Sequence, residues 1–436
     1  MKSNGLWTKI VRILSTKLVQ NTAIYTGAEV INKAIPFLLL PIVTRYLKPS
    51  DYGVVATFTA CVGILAVFVG LGTHGAVTVS FFKLHSSEMS KYIANVLLIL
   101  LISGLGTLAV LMTFRHAIAE RFSITGLLLL MGVVLAASQF ITSINLILWQ
   151  VEQQSLFYVL YQILQTALNA TLTLLLVVKF RMGWFGQITA TTVAVVSFAL
   201  LSLGFIWRRG YLRFEFSRSY AKDALDFSIP LLPHELSTWL RVGVDRFLLA
   251  SLVGMAATGV YAVGYQVGFV IGVLSASVNR AWMPFIFSRL NGIDLAGKVK
   301  LVKAIYAYCL GILSLSVVLG LVSPWLAEIL FGKAYGSASR FVIWIAVGYA
   351  FDGMYLMVVT QIYYMKRTKY LGAIMFAGGL LHVTLSYFLI KSNGAIGAAQ
   401  ATCVSFLVSL VMVWTLSACV YPLPWLFWRQ QPATGA

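Results

Sequence analysis

Charge is scarce in this 436-residue chain. Asp, Glu, Lys and Arg make up 10% of it, against roughly 25% in soluble domains. Acids are the scarcer sign, 13 against 32 Lys and Arg. In a soluble protein that balance would suit nucleic acid. Here 60% of the residues are hydrophobic, more apolar surface than one soluble core can hide. The composition therefore excludes a soluble domain and a nucleic-acid partner, and points to an integral membrane protein embedded in a lipid bilayer. Its apolar runs have the length of membrane-crossing helices, so the expected class is all-α.

Cysteine is scarce too. Cys61, Cys309, Cys403 and Cys419 all lie in apolar runs and form no CxxC, which removes a disulfide framework and leaves small buried hydrophobes. His85 and His116 fall in loops, and His74, His234 and His382 are scattered through spans without metal-ligand spacing. No metal and no cofactor is expected. Nucleotide motifs are incomplete. GLGTHG (70–75) fits GxGxxG but sits inside an apolar run with no strand before it, and GIDLAGKV (292–299) lacks the Ser or Thr of a Walker loop. The outer loops are short and hold no convergent catalytic set, so the chain is read as a non-enzyme.

Long apolar runs are what remains. A span needs about 20 mostly apolar residues, and twelve are found: 18–44, 53–82, 92–114, 124–150, 155–178, 183–207, 226–250, 259–286, 301–323, 338–364, 370–390 and 394–421. With the N-terminus cytoplasmic, 19 Lys and Arg fall on that side and 9 on the other. Four lie within spans: Lys33, Arg241, Arg246 and Arg280. The asymmetry places both termini in the cytoplasm. Segment 1–17 is basic with Leu6, Trp7, Ile10, Ile13 and Leu14 on one helical face, as in an interfacial helix. In the tail, 422–436, Trp425, Phe427 and Trp428 resemble an aromatic anchor.

The longest connection, 208–225, separates two six-helix lobes, 18–207 and 226–421. GVVATFTACVGILAVFVGLGTHGAVTVSFFKL (53–84) aligns without gaps on GVYAVGYQVGFVIGVLSASVNRAWMPFIFSRL (259–290), an offset of 206 that also sets Glu29 opposite Glu235. GWFGQITAT (183–191) echoes GAIGAAQAT (394–402). Such a repeat predicts two lobes around a central site, as in transporters.

The most charged intramembrane stretch is HELSTWLRVGVDR (234–246). On a continuous helix His234, Arg241 and Asp245 would lie within about 40° of one another, with Glu235 and Arg246 roughly 100° further round. Arg241 and Asp245, at i and i+4, could then pair. Glu29 and Lys33 have the same spacing. Asp352 could counter any of these cations or carry a proton. Intramembrane ionisable residues mark pathways by default. Substrate-binding candidates are Arg241, Lys33, Arg280 and Arg246; coupling or ion-pair candidates are Asp245, Glu235, Glu29 and Asp352. Pro36 and Pro41, and Pro230 and Pro233, predict a bent or broken first helix in each lobe. Gly264, Gly268 and Gly272 predict close helix packing.

Asp245-Arg246-Phe247-Leu248-Leu249 followed by Gly259-Val260-Tyr261-Ala262 resembles the seventh and eighth helices of the bacterial polysaccharide-unit flippases, the O-antigen translocases. RYLKPSDYGVVATFTACVGILAVFVGLG (45–72), ILFGKAYGSA (329–338) and GAIGAAQAT are similar to other positions of that family. It belongs to the multidrug/oligosaccharidyl-lipid/polysaccharide exporter superfamily. The resemblance implies a flippase in the bacterial inner membrane that moves an undecaprenyl-diphosphate-linked oligosaccharide from the cytoplasmic to the periplasmic leaflet by alternating access. It implies a cationic cavity for the diphosphate, and a polysaccharide polymerase and chain-length machinery as partners. The competing readings are a cation-coupled drug exporter of the same superfamily and a membrane polysaccharide polymerase or ligase.

Overall fold

The structure, a computed structural model, describes residues 17–122, 124–290 and 293–426. Among these the secondary structure is helical, with no strand. Ten helices are long and apolar enough to cross a membrane, where every backbone group must find its partner within the segment. The first helix of each predicted lobe completes the set of about twelve. The chain is an all-α multi-pass membrane protein.

Two compact units are formed, Met1–Leu236 and Ser237–Ala436. The first holds α1 (Lys17–Tyr46), α2 (Pro49–Phe68), α3 (His74–Phe81), α4 (Ser86–Thr113), α5 (Arg115–Phe122), α6 (Gly126–Val151), α7 (Ser155–Thr173), α8 (Gly183–Arg208) and α9 (Arg218–Ser228). Its centre is α6, which packs on α2, α4 and α8 and buries Leu128, Leu129, Ile144 and Leu148. The unit boundary falls inside α10 (Leu232–Val242). The second unit continues with α11 (Val244–Leu252), α12 (Met255–Gly268), α13 (Val270–Leu290), α14 (Leu295–Phe331), α15 (Ser339–Tyr364), α16 (Thr368–Asn393) and α17 (Ala395–Val420). Its centre is α15, packed by α12, α13, α14 and α17. Gly264, Gly268 and Gly272 face α15. A Cβ at Gly268 would lie 2.7 Å from Ile345 Cγ2, and one at Gly272 would lie 2.6 Å from the Tyr349 ring. The stripe is a packing surface, as its spacing predicts.

The internal repeat is visible in the helix ends. Shifted by 206 residues, the end of α1 at Tyr46 meets the end of α11 at Leu252, and the start of α2 at Pro49 meets the start of α12 at Met255. The later echo coincides with two glycines at positive φ. Gly183 (φ +60°) is the first residue of α8, and Gly394 (φ +64°, ψ −147°) precedes α17. Residues with a Cβ are essentially excluded from the Gly394 conformation.

Several expectations are corrected. α1 runs unbroken through Pro36 and Pro41, whereas its counterpart is divided into α9, a 3-10 turn at Ile229–Leu231, α10 and α11. The predicted span 53–82 is interrupted at 69–73, which overlaps the first four residues of GLGTHG, and Gly70 N–H donates there to Ser103 Oγ (2.8 Å). Asp294 of GIDLAGKV caps α14 by accepting from Gly297 N–H (2.9 Å), so that motif starts a helix. Cys61 and Cys403 are buried, but Cys309 is only partly so and Cys419 is exposed, as an apolar thiol on a lipid-facing helix can be. Residues 1–16 of the amphipathic segment, Phe427 and Trp428 lie outside the described residues. Trp425 packs against Trp414 and Tyr306.

The connection after α8 is clamped to the first unit. Lys91 Nζ donates to Glu215 (2.7 Å), Asn95 donates to Glu215 O (2.9 Å), and Ser217 N–H donates to Asn95 Oδ1 (3.0 Å). Arg209 pairs with Glu152, which also accepts from Tyr211 OH (2.6 Å). Burial and that hydrogen bond push the Tyr211 phenol up to about 12.

Candidate functional site

The charged stretch does not form one helix. α10 ends at Val242 and α11 starts at Val244, leaving Gly243 between them. Gly243 N–H still donates to Trp239 O (2.7 Å). A Cβ at Gly243 would lie 2.5 Å from Trp239 Nε1, so the packed indole leaves no room for a larger residue. The expected pairing of Arg241 with Asp245 gives way at this break, and each reaches a different helix.

Asp245 is fully buried. Its Oδ1 accepts from Ser386 Oγ (2.7 Å) and meets His382 Nε2 at 3.2 Å. Its Oδ2 accepts from Tyr261 OH (2.8 Å) and Thr402 Oγ1 (3.3 Å). Helices α11, α12, α16 and α17 thus contribute one polar group or more each. His382 is fully buried as well, and its Nδ1 lies 3.0 Å from Ser405 Oγ. An unpartnered carboxylate would cost several kcal/mol here, and this ring of donors offsets that cost.

Arg241 is 7% exposed. Its Nη2 lies 3.5 Å from Asp352 Oδ1 on α15, its Nη1 lies 3.7 Å from Met375 Sδ on α16, and its plane covers the Phe406 ring of α17 at 4.5 Å. Its buried Nε has no hydrogen-bond partner. The guanidinium is therefore positioned by one carboxylate and one ring face with donor capacity left over. Arg246 turns inward onto Tyr265 (4.0 Å) and Tyr261 (5.7 Å) and donates to Val242 O. Tyr265 and Tyr349 share a hydrogen bond behind it.

The other predicted residues are dispersed. Lys33 is exposed on α1, and Arg280 is exposed on α13. Glu235 is exposed on α10 and lies close enough to His74 to act on it electrostatically. The side chain of Glu29 lies outside the described residues. In the second unit the structure brings together Arg241 with Asp352, and Asp245 with His382, Ser386 and Thr402. His382 is absent from the predicted set because a single histidine in an apolar helix carries no pattern. The available signal was Ser386 four residues later, on the same helical face.

The first unit has a polar track of its own. Asn32 on α1 donates to Gln162 (3.0 Å) and accepts from Thr166 (3.0 Å) on α7, and Thr191 on α8 donates to Asn169 (3.2 Å).

Residues 18–290 match the family described as polysaccharide biosynthesis protein. A Haemophilus influenzae protein described as an uncharacterized membrane protein is 27% identical over 406 residues, covering 87% of this chain and 95% of that protein. Among solved structures, the lipid II flippase MurJ in an inward closed conformation superposes with a TM-score of 0.73 at 14% identity, over 91% of this chain and 87% of that one. An inward-facing multidrug resistance MATE transporter of the MOP superfamily superposes with a TM-score of 0.71 at 15% identity, over 89% and 94%. At these identities the likeness to solved structures is one of fold.

Proposed function

Because the chain belongs to the polysaccharide biosynthesis protein family, we propose that it is a flippase for a lipid-linked oligosaccharide. Its substrate is an undecaprenyl-diphosphate-linked repeat unit of a surface polysaccharide, moved from the cytoplasmic to the periplasmic leaflet of a bacterial inner membrane by alternating access. The lobes 18–207 and 226–421, joined by 208–225, are the moving bodies. A polymerase and chain-length machinery act on the product.

The observation that carries the reading is Arg241. A buried guanidinium with an unused Nε donor, braced by Asp352 and Phe406, has the fork geometry that suits a phosphate. Lys33, on α1 of the first unit, and Arg280, on α13 of the second, are exposed and are further candidate anion contacts, each within its own unit. Arg246 already has two ring faces and a carbonyl, so it ranks last of the four. Of the acids, Asp352 holds Arg241, and Glu235 and Glu29 remain ion-pair candidates.

The test is a deletion strain from which lipid-linked oligosaccharides are extracted. One defined repeat unit should accumulate, accessible from the cytoplasmic face of inverted vesicles, and wild-type protein should relieve it. No accumulation, with new sensitivity to lipophilic cations, would replace this reading with drug export.

A further inference from the structure

The hydrogen bonds around His382 can be completed in two ways that differ by one proton. Ser405 Oγ lies 3.0 Å from His382 Nδ1 and 3.1 Å from the Thr402 carbonyl oxygen. Its one hydroxyl proton can go to either. In the first arrangement Ser405 donates to Nδ1, and the neutral imidazole donates from Nε2 to Asp245. In the second, Ser405 turns its proton to the Thr402 carbonyl and accepts from a protonated Nδ1, while Nε2 keeps its bond to Asp245. Both arrangements satisfy both ring nitrogens, and no heavy atom has to move between them. A buried histidine held by a rigid donor or acceptor would have one comfortable state; this one has two.

We infer that His382 and Asp245 form a proton-binding site, with the Ser405 hydroxyl as its two-position switch. The incoming proton ends on Nδ1, and the imidazolium is balanced by the Asp245 carboxylate 3.2 Å away. The other groups facing the pair are Tyr261, which donates to Asp245, and beyond it Arg246, held on the Tyr265 and Tyr261 rings. Tyr349 reaches this layer through Tyr265, and Arg241 is matched by Asp352. The Asp245 carboxylate is in direct contact with the imidazole, and the Arg246 guanidinium stands behind the Tyr261 ring. Since His382 and Asp245 are both fully buried, exchange with water requires these helices to part. Proton occupancy is then tied to conformation, as coupling demands. As a coupling site the pair rests on the transport reading above; as a proton site it does not.

Proton uptake by the full-length protein in lipid nanodiscs tests this, with the pH lowered from about 9 to about 5 across the range where histidine titrates. Wild type should take up about one proton per molecule more than His382→Gln. Ser405→Ala keeps His382 and Asp245 but removes the Nδ1 partner of both arrangements, so its uptake curve should be displaced from that of wild type. Equal uptake by wild type and His382→Gln overturns the proposal. Should that variant fail to fold, unshifted uptake in Ser405→Ala does so instead. In inverted vesicles, translocation by wild type should depend on the proton gradient. A sodium-driven, gradient-insensitive translocation would overturn the coupling role. Failure of the deletion strain to accumulate lipid-linked oligosaccharide would remove the substrate and leave the proton count standing.

Discussion

The surroundings of Arg241 separate its role from that of Asp352. The pair is loose at 3.5 Å, and Asp352 retains 28% of its side-chain exposure, so removing Arg241 leaves a carboxylate that water can reach rather than one sealed in apolar surroundings. Arg241→Ala should therefore insert and fold, yet translocate about a hundredfold more slowly, the loss expected for a charge-assisted contact to a phosphate. Asp352→Asn, which keeps the guanidinium and a hydrogen-bonding partner, should lose far less. Vesicle translocation assays of the two variants check this, and equal losses would move Arg241 out of the substrate contact. Arg241, Asp245 and Asp352 were legible as functional candidates because charge within an apolar run is conspicuous. Their partners were not. The i, i+4 rule presumes a continuous helix, and Gly243 with the Trp239 indole behind it interrupts this one. Ser386, Thr402 and Tyr261 are ordinary residues of apolar helices until folding gathers them around Asp245.

Among the elements, the contact of α12 and α13 with α15 is the one whose sequence signal and packing agree most closely. Lipid offers no hydrophobic drive for helices to associate, so close approach through small residues supplies the packing energy. Gly268→Val would drive a side chain into Ile345 and should destabilise the second unit by about 1–3 kcal/mol. Gly311→Val, on the exposed side of α14 with nothing within 4 Å, should change the thermal midpoint in detergent very little. Equal effects would mean that the stripe does not carry the interface. Helix positions were read well from hydropathy because about 20 apolar residues is a hard physical requirement. Interruptions inside a span were read poorly. Pro36 and Pro41 leave α1 intact, while the turns at 69–73 and at Phe269 divide runs that read as continuous when hydropathy is averaged over a span's length.

At the scale of the whole molecule, the connection between the repeats is held by polar contacts that respond to acid. The hydrogen bond from Lys91 holds the Glu215 carboxyl below its ordinary range. A carboxylate lowered on folding stabilises the clamp above its unfolded value, and that stability is lost as pH falls through the folded value. Protection from hydrogen exchange at residues 209–217, taken relative to the intrinsic rate at each pH, should therefore fall below about pH 4, and Glu215→Gln should show the same loss of protection at neutral pH. Unchanged protection in that variant would assign the clamp to Asn95 and to the Glu152 contacts of Arg209 and Tyr211.

The same connection decides the orientation of the chain. Segment 208–222 carries five Lys and Arg, the largest cluster in any loop. If the bias of 19 against 9 governs insertion, it is cytoplasmic, as are both termini. Phe214 is 81% exposed there, so a Phe214→Cys variant, in a background lacking the four native cysteines, presents an accessible thiol. A membrane-impermeant maleimide should label it in inverted vesicles and leave it unlabelled in intact spheroplasts. The opposite pattern would invert every span, place the clamped connection outside the cytoplasm, and reverse the direction of translocation proposed for the substrate.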